Sequence, residues 1–184
     1  MRAPFARTIE AIRERRPGCR VEVLISDCKG DPESLGVIFD ARPDVLNHNI
    51  ETVARLQRVA RPSAGYARSL AVLARAADAG LVTKSGMVLG MGETEAEIAS
   101  TLADLAGVGV DIVTMGQYLR PTAAHLPVSH WWTPEDFDRF ADLARSAGIA
   151  HAESSPFTRS SHHAAQAADA ALRVGAGAGV PSPA

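Results

Sequence analysis

Leu81-Val82-Thr83-Lys84-Ser85-Gly86-Met87-Val88-Leu89 runs directly into Gly90-Met91-Gly92-Glu93 and then into Thr94-Glu95-Ala96-Glu97. The first nine residues read as a buried strand and the glycine pair as a flexible turn. Thr94 with Glu97 three positions later is a capping box, in which side chain and backbone amide bond reciprocally to open a helix. Ile98, Leu102 and Leu105 form the inward stripe of that helix. Asp111-Ile112-Val113-Thr114-Met115 then returns to strand character. Strand, turn, helix and strand in this order make one unit of a parallel sheet.

The same alternation extends in both directions. Upstream, Phe5, Ile9 and Ile12 share one face of a helix over 5–16, which Pro17-Gly18 stops. Val21-Glu22-Val23-Leu24-Ile25 is a short strand, and Asp31-Pro32 opens a helix toward Phe39. Asp44-Val45-Leu46-Asn47 is a brief apolar segment, followed by a helix with Leu70, Leu73, Ala74 and Ala77 inward that Gly80 closes. Downstream, Thr133-Pro134-Glu135-Asp136 starts a helix with Phe137, Phe140 and Leu143 inward, ended by Gly148. The expectation is an α/β fold with four parallel strands alternating with helices over residues 1–163. An open doubly wound sheet and part of a β/α barrel both satisfy it. From Ala164 to Ala184 the composition narrows to Ala, Gly, Pro and Ser, marking a C-terminal tail whose final dozen residues are expected to be loose.

Composition excludes several classes of function. The 184 residues carry 19 Lys+Arg against 21 Asp+Glu, a formal charge of −2, which leaves no broad basic face for nucleic acid or acidic lipid. No apolar run approaches the ~20 residues of a membrane span, and Met1–Phe5 lacks the apolar stretch of a secretion signal, so a cytoplasmic globule is expected. Cys19 and Cys28 are too few for a disulfide framework or an all-cysteine metal cage. There is no Ser/His/Asp order, no His-Glu-x-x-His and no Walker lysine loop.

Ligands of parallel α/β folds lie off the carboxyl ends of the strands. Polar clusters fall at those ends: Ser26-Asp27, Asn47-His48-Asn49, Lys84-Ser85 and Gly116-Gln117. Asn47-His48-Asn49 reads either as ligand-facing groups or as a polar junction with an internally satisfied histidine. Lys84 inside an apolar strand needs an anion, a carbonyl or solvent, because an unpaired buried ammonium costs several kcal/mol. Gly90-Met91-Gly92-Glu93 is either a tight turn or a place where backbone approaches a phosphate. His125, His130, Trp131 and Trp132 occupy the loop after the fourth strand, where a lid or substrate wall lies. Cys28 at a strand end reads as a nucleophile or as an inert thiol, and nothing around it in sequence favours the first.

Several strings together resemble one family. They are Val21–Ile25, Arg42-Pro43-Asp44-Val45-Leu46-Asn47-His48-Asn49-Ile50-Glu51-Thr52, Thr83-Lys84-Ser85-Gly86-Met87 with Gly90-Met91-Gly92-Glu93-Thr94, Gly116-Gln117-Tyr118-Leu119-Arg120-Pro121, and Arg159-Ser160-Ser161-His162-His163-Ala164. In this order, over residues 5–170, they resemble the C-terminal part of lipoyl synthase. The resemblance implies a partial β/α barrel of the radical S-adenosylmethionine type whose first strands precede residue 1. It implies insertion of two sulfur atoms into an octanoyl chain on a lysine of a lipoyl carrier domain. The carriers it implies are those of 2-oxoacid dehydrogenases and the glycine cleavage H protein. It implies S-adenosylmethionine and two 4Fe-4S clusters as cofactors. Carried over by position, Asn47, Asn49, Lys84 and Ser85 face the cofactor and Gln117 and His125 line the mouth. Ser161 is the implied iron ligand, with Ser160 as the second choice.

The departures are specific. Neither the three-cysteine radical motif nor the family's N-terminal cysteine trio is present, and His162 stands where the family has tyrosine. A 4Fe-4S cluster takes about three or four thiolates. The isolated chain is therefore expected to lack cluster ligands and to be inactive alone. Three arrangements fit: a longer protein read from an internal Met1, a partner chain that supplies the cysteines, or a non-catalytic remnant that docks a lipoyl domain. An unrelated barrel half that binds phosphate at Gly90–Glu93 is the remaining alternative.

Overall fold

The computed structural model describes residues 4–161 and 163–177. The chain begins with helix α1 (Pro4–Arg15), strand β1 (Glu22–Leu24), α2 (Pro32–Asp40) and β2 (Val45–Asn47). A short α3 (Gln57–Ala60) precedes α4 (Tyr66–Asp78), β3 (Thr83–Leu89) and α5 (Glu95–Gly107). It ends with β4 (Ile112–Gln117), α6 (Pro134–Ser146), β5 (His151–Ser154) and α7 (Ala164–Gly177). The capping boxes read from sequence are present, Thr94 with Glu97 opening α5 and Thr133 with Asp136 opening α6. Asp31 accepts from the Ser34 amide at the start of α2.

The five strands are parallel and lie in chain order, β1-β2-β3-β4-β5. A doubly wound sheet reverses its order at a switch point and so puts helices on both faces. Here every crossover steps the same way, and the helices between strands cover one face. The alternation of side chains shows it. Met87, Leu89, Val113 and Met115 pack with Ile98, Leu102 and Leu105 of α5 and with Phe137 and Phe140 of α6. Val23 and Leu46 pack with Ile9 of α1, Leu35, Ile38 and Phe39 of α2, and Val72 and Ala76 of α4. Of the two geometries open at the sequence level, this is the partial barrel.

Two expectations are corrected. Among the described residues there are five strands, not four: β5 has the sequence His151-Ala152-Glu153-Ser154, which lacks the β-branched run that marks a strand. It is held by pairing with β4 rather than by its own propensity. Residues 164–177, expected as tail, form α7. Its Ala167, Ala168 and Ala171 are buried against Val45 and Ile112 on the inner face of the sheet. Alanine is the best helix former, and its small side chain lets a helix lie close to a sheet. Residues 178–184 of the expected tail lie outside the described residues.

Candidate functional site

With the outer face filled by helices and the lower inner face by α7, chemistry is left to the inner side chains of the strands. Strand register puts Glu22, Asn47 and Lys84 on this face, followed higher up by Asn49, Gly86, Thr114 and Gly116. Lys84 is completely buried, near the start of β3 and opposite Asn47 rather than at the strand's carboxyl end. Its ammonium lies 3.0 and 3.2 Å from the two Glu22 carboxylate oxygens. Asn47 Nδ2 donates to Glu22 Oε1 at 3.1 Å, while Asn47 Oδ1 is buried with no partner. The anion that Lys84 requires is thus a carboxylate of the sheet itself.

Above this ion pair, toward the carboxyl ends, opens a cleft of about 200 Å³. Asn49, Glu51, Gly86, Thr114, Arg159 and Ser160 line it. Gly86 keeps it open: a Cβ there would stand 2.8 Å from both Asn49 Oδ1 and Thr114 Oγ1. Asn49 Oδ1 is buried and unpartnered, while Arg61 Nη1 donates to the Asn49 carbonyl at 2.7 Å and fixes that backbone. Glu51 sits at φ 71°, and its amide and carbonyl bond Gly86 O and Val88 N. A carboxylate, a guanidinium, two hydroxyls and a free amide oxygen around a small hollow suit a polar, zwitterionic ligand.

Asn47, Asn49 and Lys84 share the inner face, but only Asn49 borders the cleft. Ser85 points to the helix side, where its Oγ accepts from the Ile50 amide at 3.2 Å. Gln117 is occupied in holding a loop: its Nε2 donates to the Tyr118 and His130 carbonyls and its Oε1 accepts from the Trp132 amide. His125 is exposed on that loop, with Nδ1 2.8 Å from Thr122 Oγ1. Ser160 lines the cleft and Ser161 is exposed beyond it; His162 lies outside the described residues. Glu51, Gly86, Thr114 and Arg159 are cleft residues that are not among those expected from the sequence. Period-two counting from Asn47 and Lys84 would have found Asn49, Glu51 and Gly86 on one face. Arg159 arrives from a segment no strand pattern marks.

The Gly90–Glu93 turn offers no phosphate cradle. Its own Glu93 carboxylate accepts from the Gly90 and Met91 amides and from Trp132 Nε1 at 3.1 Å. Trp132 is packing rather than wall, edge-on to Phe140 with ring centres 5.1 Å apart. Trp131 is 63 % exposed.

A family profile described as the Radical SAM superfamily matches residues 1–105, more than half of the chain. The chain belongs to the radical SAM superfamily. It is similar to curated proteins named lipoyl synthase. That of Rubrobacter xylanophilus is 52 % identical over 176 residues, covering 95 % of this chain and 55 % of the relative. That of Chlorobaculum tepidum is 54 % identical over 161 residues, covering 87 % and 56 %. The chain thus spans about half the length of these relatives. Streptococcus suis SuiB shares the fold at TM-score 0.63 and 10 % identity, over 80 % of this chain and 35 % of that one.

Radical SAM enzymes use a 4Fe-4S cluster and S-adenosylmethionine, and the two fit this radical SAM chain differently. The cleft, with its unpartnered Asn49 oxygen and its opening at Gly86, fits polar parts of S-adenosylmethionine. For the cluster, these residues offer few thiolates. The sequence has two cysteines, Cys19 exposed and Cys28 half-buried in the turn after β1. Among the described residues no group of three or more His, Cys, Asp or Glu side chains is placed to hold a metal ion. No described helix is long and apolar enough to cross a membrane.

Two titratable groups away from the cleft, His48 and Glu153, are fixed by their neighbours. His48 is fully buried on the helix side. Ile25 O, 3.0 Å from Nδ1, can only accept, so Nδ1 carries the hydrogen and Nε2 accepts from the Ser69 hydroxyl at 3.0 Å. The junction reading of Asn47-His48-Asn49 therefore holds for the histidine. Burial above all, with the positive Arg61 nearby, holds the His48 pKa below 6.5 against the opposing Ile25 bond and Asp27 charge. Neutral His48 belongs to the folded state, whereas the unfolded chain takes up a proton below about pH 6.5. Stability is thus complete above that pH and falls as pH drops from it toward the lower folded pKa. Urea midpoints measured from pH 7.5 to 5.5 are expected to decline, and to decline less in His48→Gln. Equal declines in both proteins would refute the assignment.

Burial pushes the Glu153 carboxyl up, but His151 Nε2 at 2.9 Å and His163 Nδ1 at 3.4 Å together hold it below its ordinary value. This network ties β5 to the residue that precedes α7.

Proposed function

We propose that residues 1–184 are the portion of a lipoyl-synthase-type radical SAM enzyme that seats S-adenosylmethionine for insertion of two sulfur atoms into an octanoyl-lysine. The observation that carries the reading is the cleft on the inner face, where a buried amide oxygen without a partner faces the space left by Gly86. The identity of about half to lipoyl synthases over nearly the whole chain supports the choice of reaction within the superfamily. The substrates on this reading are octanoylated carrier domains of 2-oxoacid dehydrogenases and the glycine cleavage H protein, in the cytoplasm.

The chemistry that S-adenosylmethionine supplies when bound is hydrogen abstraction from an unreactive carbon. The work of this chain is to bind and orient. Asn49 Oδ1 accepts from an N–H or O–H of the ligand, Glu51 and Arg159 meet its opposite charges, and Gly86 admits it to the sheet surface. The helix-packed outer face and α7 exclude water from behind and below. Iron ligation needs cysteines from outside these 184 residues. Of the two serines in the Arg159–Ser161 string, Ser161 is kept as the proposed iron ligand by the resemblance, while Ser160 borders the cleft.

Asn49→Ala is expected to weaken S-adenosylmethionine binding to the chain about tenfold in titration calorimetry, the loss of about one hydrogen bond. Unchanged affinity would remove the cleft from the reading. Anaerobic treatment with iron and sulfide is expected to give neither a stoichiometric 4Fe-4S cluster nor 5′-deoxyadenosine; formation of both would show that the chain is sufficient. A second reading, a binding component that docks a lipoyl domain or a cysteine-bearing chain without catalysis, is favoured by the cysteine count alone. It predicts carrier-domain binding that Asn49→Ala leaves intact.

A further inference from the structure

A second hollow lies between the segment after β2 and the start of α4, separate from the inner cleft. It measures about 450 Å³, and its lining includes Arg55, Gln57, Arg58, Tyr66 and Arg68. From Thr52 to Ala77 the sequence has five arginines and no acidic residue. Two of the lining guanidiniums are committed elsewhere, Arg55 to Glu97 at 2.6 Å and Arg68 to Asp27 at 2.6 Å. Arg58 is exposed and makes no hydrogen bond or ion pair.

Gln57 is the second and independent sign. It is only 3 % exposed, yet neither its amide nitrogen nor its amide oxygen has a partner. A buried polar group left unpaired costs about 1–3 kcal/mol, so native chains rarely keep one without an occupant. The hollow also takes in Gly65 and Tyr66, N-cap and first residue of the 13-residue α4, whose opening turn no side chain caps. The free N–H groups of such a turn and the positive end of the helix attract negative charge.

We propose that this hollow binds an oxyanion, a carboxylate or a phosphate, with Arg58 as its cation and the Gln57 amide and the first turn of α4 as donors. A cation or an apolar ligand would meet uncompensated positive charge. Arg55 also donates to Gly92 O at 2.8 Å in the turn that follows β3, so the occupant sits beside the end of the sheet where the cleft opens. The site stands whether or not the sulfur-insertion reading does, since nothing in it involves the cleft residues.

Titration calorimetry of the 184-residue chain with inorganic phosphate, and separately with acetate, tests it at constant ionic strength held with chloride. Saturable binding of at least one anion is expected, weakened tenfold or more in Arg58→Gln and in Gln57→Leu. Arg145→Gln, which removes an exposed guanidinium of α6 paired with Asp142, is expected to leave it unchanged. Tighter phosphate binding identifies a phosphorylated ligand, and tighter acetate binding a carboxylate source. Arg58 is exposed, so its variant keeps the fold and decides the case even if Gln57→Leu does not. Absence of saturable binding for both anions, or full affinity in Arg58→Gln, overturns the site.

Discussion

Glu22→Ala is expected to destabilise the chain by about 3 kcal/mol, because it leaves the Lys84 ammonium buried without an anion. Lys84 has no exposed surface, whereas the Glu22 side chain keeps 22 % of its own. The two ends of the pair are therefore unequal. Removing the carboxylate strands a charge that cannot reach water; removing the ammonium leaves a carboxylate that can turn toward solvent and still accept from Asn47 Nδ2. Lys84→Met, close in volume, is accordingly expected to cost only about 1 kcal/mol, since a buried ion pair replaced by an apolar side chain is often near neutral. Urea unfolding checks both. With a slope of about 2 kcal/mol/M, the midpoint falls by about 1.5 M in Glu22→Ala and about 0.5 M in Lys84→Met. Equal midpoints for the two variants would mean that Lys84 reaches another partner when Glu22 is gone.

Gly116→Ala is the second large effect. A Cβ on Gly116 would overlap the Thr158 carbonyl oxygen and stand 2.8 Å from Arg159 Nη1. The overlap is with backbone that cannot swing away. Thr158 is 2 % exposed, its amide is bonded to Ser155 O at 3.1 Å, and the Pro156 carbonyl accepts from the Gln117 amide at 3.2 Å. Overpacking of this kind costs about 1–3 kcal/mol. It also moves the 155–160 segment, and with it Arg159 and Ser160, away from the cleft. Affinity for S-adenosylmethionine is expected to fall at least tenfold, more than the stability loss alone would bring to a folded protein. Gly36→Ala is the control: a Cβ there meets nothing within 4 Å inside α2, and alanine is expected to stabilise the helix by about 0.5–1 kcal/mol. A Gly116→Ala protein that binds as tightly as the parent would show that the 155–160 segment does not shape the cleft.

These residues also show what a one-dimensional reading reaches. Capping boxes at Thr94 and Thr133 involve partners three residues apart, so the string contains both halves of the interaction. The demand of Lys84 for an anion was equally visible, because burial inside an apolar strand follows from its neighbours. The identity of that anion was not: Glu22 is 62 residues away and meets Lys84 across an intervening strand. Gln117 and Ser85 looked like site residues because polar side chains at strand ends usually are. Period two places them on the helix side, where their hydrogen bonds serve a loop and a backbone amide.

The sequence by itself determined the alternation of strands and helices, their parallel pairing and the membership of the chain in the radical SAM superfamily, since periodicity, caps and short strings are local. The resemblance already implied the partial barrel; only the tertiary structure decided that His151–Ser154 is a fifth strand and that an alanine-rich end packs as a helix across the inner face. It alone gathered Asn49, Gly86, Thr114 and Arg159 around one cleft. Those outcomes depend on contacts between residues far apart in the chain, where burial and hydrogen bonding outweigh the preference of any short segment.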